Sequence, residues 1–268
     1  TRKDGGTWVL NGEKVLISGM DDVMRLPWGG GWFLIGRSGP VEQKHRTLTA
    51  FAFLARKDGG KPVDGFEYSN YEEIGRHGIH TGGIGLSNVE VEDKYRLGDV
   101  NGGFKPSMEG FNLARCLIGG ASVGVARWTL DYIKEWIKER KLWGKPLAGF
   151  QGISFRFAEM YAEVEAARML CYRAAQMADR FYLQKDPTVS LIDVGIASAC
   201  AKLKAPEAAV SVCEEALKMY GGMAYFKEIP IYRAWLGIFS YVIGAEGAQN
   251  IMRYIIARNI IGPEYVTI

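Results

Sequence analysis

The chain has 268 residues, of which 48% are hydrophobic and 12% aromatic, enough to build a core in one large domain or two smaller ones. A net charge of +3 without a basic run argues against a nucleic-acid-binding protein. The four cysteines occur singly, in neither zinc-site nor disulfide-framework spacing. With no apolar run of membrane-spanning length and no signal peptide, we expect an intracellular, cytoplasmic protein.

The first hundred residues are typical of β structure. Asn11 and Gly12 form a pair that favours a two-residue hairpin turn, and they lie between strand-like residues 7–10 and 14–17. Further strands are predicted at residues 32–35, 47–54 and 84–91. The glycine run at 29–31 does not lead from a strand into a helix, so it predicts a loop and not a Rossmann turn. We therefore predict a small antiparallel β module over residues 1–101, incomplete at its N-terminus because Thr1 leads directly into a strand pattern.

From about Ser107 onward, apolar residues recur every three or four positions, which indicates helices. Breaks are marked by glycine and proline near residues 144–146, 185–187 and 221–230. The predicted helices span residues 107–140, 149–182, 190–220 and 231–259. Four long helices with short connections predict an up-down four-helix bundle over residues 102–268, and the fold class is α+β.

One acidic residue, Glu246, follows the otherwise apolar run 235–244 and is flanked by Ala245 and Gly247. Burying a carboxylate there costs free energy unless the group is paired or used. A poorly solvated carboxylate is also a better proton acceptor than one in water. From this segment alone, a solvated or salt-bridged glutamate near a helix bend is the commoner interpretation.

Short motifs follow one another in a characteristic order. They are LNGEKVLIS at 10–18, FNLAR at 111–115, ERKLWGKPL at 139–147, FQGISF at 150–155, AEM at 158–160, AAR at 166–168, MYGG at 219–222 followed by Pro230 and Arg233, EGAQN at 246–250 and IIAR at 255–258. In this order they resemble the acyl-CoA dehydrogenase family over essentially the whole chain. The N-terminal helical domain of that family, with its first flavin-contacting strands, would precede Thr1.

The resemblance implies a flavoprotein oxidoreductase of fatty acid metabolism that removes two hydrogens across the Cα–Cβ bond of an acyl-CoA thioester. A carboxylate takes the α proton while the β hydrogen leaves as hydride to N5 of FAD. The resemblance assigns the base to Glu246. Some family members carry the base immediately before the motif arginine, but that position is Ala114 here and cannot serve.

The resemblance also implies that FAD lies between the β module and the bundles of two subunits. Arg140 would reach the pyrophosphate as a charge-assisted donor. The implied cofactor-binding positions are Ser18, Arg140, Trp143, Gln151, Gly221, Gly222, Ala248 and Asn250. The implied substrate-binding positions are Phe111, Asn112, Arg115 and Gly247.

Three residues depart from the family pattern: Asn112 replaces an aspartate, Ala245 an aromatic residue and Ala248 a threonine. Losing the aromatic residue leaves room for a bulky or branched acyl group. His77 and His80 lie three apart in a glycine-rich loop without a carboxylate or thiol cluster, so no metal site is predicted.

The family further implies an electron-transfer flavoprotein as electron acceptor, a homotetramer and, if the protein is eukaryotic, the mitochondrial matrix. Three alternatives stay open. They are an acyl-CoA oxidase-like enzyme that uses oxygen, a non-catalytic subunit of a mixed complex, and a helical interaction bundle without a cofactor.

Overall fold

The structure is a computed structural model that describes residues 2–3, 6–57 and 60–267. Antiparallel sheets come first in the chain and long helices follow, which confirms the predicted α+β class. The chain divides into two compact units, between Met108 and Glu109. The expected limits of the two domains, 1–101 and 102–268, stay a prediction.

The first unit contains two antiparallel sheets, with strand orders β1-β2-β6-β5 and β3-β4-β7. Its elements are β1 (Arg2–Lys3), β2 (Thr7–Ile17), α1 (Met20–Arg25), β3 (Gly29–Arg37), β4 (Leu48–Lys57), β5 (Phe66–Asn70), β6 (Gly82–Glu92) and β7 (Arg96–Leu97). Large apolar side chains from both sheets form one core, which includes Trp8, Phe51, Phe53, Phe66 and Val89. Alternation of apolar and polar positions places these side chains on the inner faces.

The hairpin predicted at Asn11 and Gly12 is wrong, because β2 runs through this pair as one strand and stays paired with β6. The register shifts between Leu10 and Gly12, and Gly12 has a φ of 138°. Opposite the irregularity, the backbone N–H of Asn88 donates to the side-chain oxygen of Asn11 at 2.8 Å. The pair therefore forms a bulge, since β6 is long enough to pair with both halves of β2.

The loop predicted at residues 29–31 is also wrong, since these glycines begin strand β3. A Cβ atom on Gly31 would lie 1.8 Å from the carbonyl oxygen of Phe53 on the neighbouring strand β4. No side chain fits at that distance. Glycine at this position thus allows the backbones of β3 and β4 to approach closely.

The second unit is helical apart from one small hairpin. Its elements are α2 (Phe104–Glu139), β8 (Lys141–Leu142), β9 (Lys145–Pro146), α3 (Gln151–Tyr182), α4 (Leu191–Tyr220), α5 (Ile231–Ile243) and α6 (Gln249–Ile261). The first turn of α2 precedes the boundary between the two units. The first three predicted helices are confirmed to within three residues at each end. In the described part of the chain, none of the helices has the length and apolar character that crossing a bilayer requires.

Helices α3 and α4 meet along a stripe of small side chains. Buried alanines line this contact, among them Ala167, Ala174, Ala197, Ala201 and Ala205. Small residues let two helix backbones approach closely. Larger apolar residues build the rest of the core, including Leu130, Ile133, Val164, Val212 and Ile238.

The predicted fourth helix is wrong as a single element. Helix α5 ends at Ile243 and α6 begins at Gln249, with residues 244–248 forming a loop between them. Ala245, Glu246 and Gly247 have φ values of 31°, 55° and 106°. This left-handed backbone is strained for the alanine and the glutamate. Glu246 therefore lies on a short connection between two helices.

Candidate functional site

The candidate site is built around residues 244–248, the Glu246 loop. Glu246 itself is half-buried. Within the described part of the chain, its carboxylate makes neither a hydrogen bond nor an ion pair, although two cationic side chains bind the backbone of its loop. The loop is thus held through its carbonyl groups, and the carboxylate stays available.

The first cation is Arg115 on helix α2, which is only 5% exposed. Its Nε donates to the carbonyl oxygen of Glu246 at 3.1 Å, and its Nη1 donates to Oδ1 of Asn112 at 3.0 Å. The ring of Phe111, one turn earlier on the helix, lies 5.8 Å from the guanidinium. Burial lowers the pKa of Arg115, and the negative charge of Glu246 opposes that shift. The structure therefore brings together Phe111, Asn112, Arg115 and Glu246.

The second cation is Lys202 on helix α4, which has no exposed surface. Its ammonium donates to the carbonyl oxygens of Gly244 at 3.3 Å and Gly247 at 2.5 Å, and to Oε1 of Gln249 at 3.2 Å. Gln249 is also buried, and its Nε2 donates to the carbonyl oxygen of Leu203 at 2.8 Å. Every polar group of this cluster is satisfied, as a buried network requires.

Sequence reasoning missed both Lys202 and Gln249. A signal for Lys202 was present, because it falls on the same helical face as Ser198 and Ala205, which are buried. A charged residue on the buried face of a helix needs partners, and so it marks a candidate site. Gln249 gives no such signal, since nothing local distinguishes it from an exposed glutamine at a helix start.

Gly247 is predicted to be irreplaceable. Its φ of 106° suits glycine alone, and an added Cβ would lie 3.2 Å from the buried Met252 side chain. We expect Gly247→Ala to destabilise the protein by about 1–3 kcal/mol, measured by urea unfolding. The control is Gly124→Ala on helix α2, where a Cβ meets nothing within 4 Å and should stabilise by about 0.5–1 kcal/mol. Equal effects of the two substitutions would contradict the strain argument.

A second group of candidate residues lies where α2, α3 and α4 begin or end. Arg140 follows α2, Trp143 lies at the turn of the β8–β9 hairpin, Gln151 begins α3, and Gly221 and Gly222 follow α4. Aromatic contacts connect these ends. The ring of Trp136 on α2 stacks on Tyr220 of α4 at 4.4 Å, and Trp143 packs edge-on against Phe150 at 5.8 Å.

This second group fits an extended cofactor with a flat ring and a pyrophosphate. Trp143 is 90% exposed, an unusual position for so large an aromatic side chain. Arg140 is also exposed and makes no side-chain hydrogen bond or ion pair within residues 6–57 and 60–267. A free guanidinium binds phosphate groups, and an exposed ring packs on another flat ring. At Gly221 and Gly222 an added Cβ would meet nothing within 4 Å, so the backbone there is open to a ligand.

The structure does not bring the two groups together. No hydrogen bond or ring contact among the described residues joins the second group to the Glu246 loop. Ala248 and Asn250, both exposed, belong with the Glu246 loop, and Asn250 accepts a hydrogen bond from Arg253 at 3.3 Å. Ser18 lies in the first unit, exposed directly after β2, and its carbonyl oxygen accepts from Trp32 at 3.2 Å.

The described residues contain no group of three or more His, Cys, Asp or Glu side chains that could hold a metal ion. His77 and His80 thus lie outside any such cluster.

Known proteins are similar to this chain over nearly its whole length. Residues 101–261 match the model of the acyl-CoA dehydrogenase C-terminal domain. An acyl-CoA dehydrogenase of Bacillus subtilis is 30% identical, over 97% of this chain and 62% of its own length. A subunit of the caffeyl-CoA reductase-Etf complex of Acetobacterium woodii is 32% identical, over 70% of this chain and 47% of its own length. The solved butyryl-CoA dehydrogenase of Megasphaera elsdenii superposes with a TM-score of 0.82 at 27% identity, over 97% of this chain and 62% of that one.

The chain therefore spans less than two thirds of the length of these relatives. The members of this family are FAD-dependent flavoproteins. The matched segment covers more than half of the chain, and the resemblance in the ordered motifs is confirmed. The chain belongs to the acyl-CoA dehydrogenase family.

Proposed function

We propose that the protein carrying this chain is an FAD-dependent acyl-CoA dehydrogenase in which Glu246 removes the α proton of the thioester. The observation that carries the proposal is the free carboxylate of Glu246 on a loop whose backbone two buried cations hold. In a merely structural salt bridge, Arg115 or Lys202 would bind the carboxylate oxygens. Here they bind carbonyl oxygens and leave the carboxylate unpaired.

A general base must be both available and held in position. The loop meets the first requirement through the unpaired carboxylate and the second through Arg115 and Lys202. Half-burial of Glu246 limits competition from water for its oxygens. The α proton of a thioester is weakly acidic, so placing the base before the reaction lowers the barrier.

FAD supplies the acceptor for the hydride that leaves the β carbon. Arg140, Trp143, Gln151, Gly221 and Gly222 are proposed to hold its extended part, and Ser18, Ala248 and Asn250 to line it elsewhere. Phe111, Asn112, Arg115 and Gly247 are proposed to line the acyl-CoA site. Of these, Asn112 is buried and bonded to Arg115, so its part is to orient the guanidinium.

The proposal includes an electron-transfer flavoprotein as electron acceptor, a homotetrameric assembly and a cytoplasmic location. The name of the Acetobacterium woodii relative places that protein in a complex with Etf, which supports the choice of acceptor. An oxidase that passes electrons to oxygen is the competing reaction within the same chemistry.

Anaerobic mixing of the FAD-loaded protein with a panel of acyl-CoAs tests the proposal. The panel contains straight and branched chains, because Ala245 stands where the family pattern has an aromatic residue. We expect at least one thioester to bleach the visible absorption band of the flavin, and the colour to return rapidly with electron-transfer flavoprotein but slowly with air. Rapid return in air alone would indicate an oxidase. A flavin that no acyl-CoA bleaches would refute the proposal.

A further inference from the structure

We infer that Lys202 is a positioning residue that fixes the Glu246 loop in the conformation needed for proton abstraction. The inference rests on the proposed function. Lys202 acts through the backbone of the loop, with no described contact to the carboxylate of Glu246.

The Lys202 ammonium donates hydrogen bonds to the ends of two consecutive helices, α5 and α6. A lysine ammonium has three N–H donors, and all of them find an acceptor here. One acceptor, the Gly244 carbonyl, lies at the end of α5, while the Gly247 carbonyl and the Gln249 side chain lie at the start of α6. A single group therefore sets the distance that the Glu246 loop must span.

Stability alone does not explain a lysine at this position. Burying an ammonium without a bonded carboxylate is unfavourable, and an apolar side chain among the alanines of α4 would avoid that cost. Glu207 is the acidic residue closest to Lys202 in the sequence, but its carboxylate pairs with Arg253 at 2.6 Å instead. The ammonium offsets its desolvation through two loop carbonyls and the Gln249 side chain, and the loop backbone has positive φ at Ala245 and Glu246.

The charges that face Lys202 come from three elements: Arg115 on α2, Glu207 on α4 and Glu246 on the loop. Burial, and to a lesser extent the positive charge of Arg115, lower the pKa of Lys202 to about 8, although the two carboxylates oppose the shift. A neutral amine has two N–H donors, so above this pH it no longer serves three acceptors. We expect proton abstraction to slow as the pH rises through about 8.

Rising pH has the opposite effect on stability to the one expected for the rate of proton abstraction. In the unfolded chain lysine keeps its proton up to about pH 10.4, so between the two pKa values the unfolded state binds more protons than the folded state. The contribution of Lys202 to stability therefore rises with pH in this range. If activity falls above pH 8 while stability does not, unfolding is not the cause, and the loss is attributed to the positioning role of Lys202.

The variant Lys202→Met tests the inference, with Lys204→Met as its control. Lys204 lies on the same helix but pairs at the surface with Glu163 at 2.6 Å. The readouts are the rate of flavin bleaching at saturating acyl-CoA, the affinity for acyl-CoA, and the bleaching rate of wild type across about pH 6–10. We expect Lys202→Met to slow bleaching about 30-fold with little change in affinity, as expected when a positioned base loses its placement.

Each outcome decides a separate question. If wild type bleaches and Lys202→Met bleaches as fast as Lys204→Met, the inference is overturned while the proposed function stands. If Lys202→Met does not fold, the wild-type profile decides: a rate that falls above pH 8 supports the inference, and a flat rate overturns it. If wild type never bleaches, the proposed function itself fails.

Discussion

Glu246→Gln is expected to slow bleaching of the flavin by acyl-CoA about 1,000-fold or more, with binding of acyl-CoA nearly unchanged. The amide has the same shape as the carboxylate, but it cannot accept the α proton. Because Arg115 and Lys202 bind the loop backbone, the substitution leaves their hydrogen bonds in place. The measurement is anaerobic stopped-flow absorbance of the FAD-loaded protein.

The control for this variant is Glu135→Gln. Glu135 is exposed on α2, where it pairs with Lys138 at 3.1 Å, and it should leave the bleaching rate unchanged. A Glu246→Gln protein that bleaches like wild type would refute the assignment of the base. Loss of flavin from the purified variant would instead point to a structural role for the carboxylate.

Arg115→Met carries the second largest expected effect. It removes the bond to the Glu246 carbonyl and leaves Oδ1 of the buried Asn112 without a donor. An unsatisfied buried acceptor costs about 1–3 kcal/mol, so we expect a loss of about 2 kcal/mol in the free energy of unfolding. Bleaching should slow about 100-fold, because the base loses one of the two groups that hold it.

Arg127→Met on the same helix is the matched control. Arg127 is half-exposed and pairs with Asp131 at 3.5 Å, so its loss should change stability by less than about 0.5 kcal/mol and leave bleaching intact. Urea unfolding and stopped-flow bleaching measure the two effects. If Arg115→Met destabilises the protein but bleaches at the wild-type rate, then Arg115 serves the fold and not the base.

The regular elements were predictable because their periodicity is local. Apolar residues at helical spacing predicted α2, α3 and α4, and Ser190 with Asp193 forms a capping box that starts α4. The Asn11–Gly12 hairpin failed because a local turn preference competes with tertiary pairing, and strand β6 supplies the pairing.

The break between α5 and α6 was not predictable from local sequence. The apolar run before Glu246 continues the helical period, whereas the groups that hold the loop are distant in the chain: Arg115, 131 residues before Glu246, and Lys202. Glu246 is identifiable from the sequence because it is isolated after an apolar run and matches the family motif. How the loop is held came only from the structure, since both anchors are buried cations from other helices.

The most direct test of the central claim is exchange of the α hydrogens of a bound acyl-CoA with D₂O. With the flavin reduced beforehand, hydride transfer is blocked, and exchange reports removal and return of the α proton alone. Mass spectrometry of the recovered thioester should show rapid deuterium uptake with wild type and with Glu135→Gln, and uptake about 1,000-fold slower with Glu246→Gln. Uptake at the wild-type rate with Glu246→Gln would contradict the claim that Glu246 is the base.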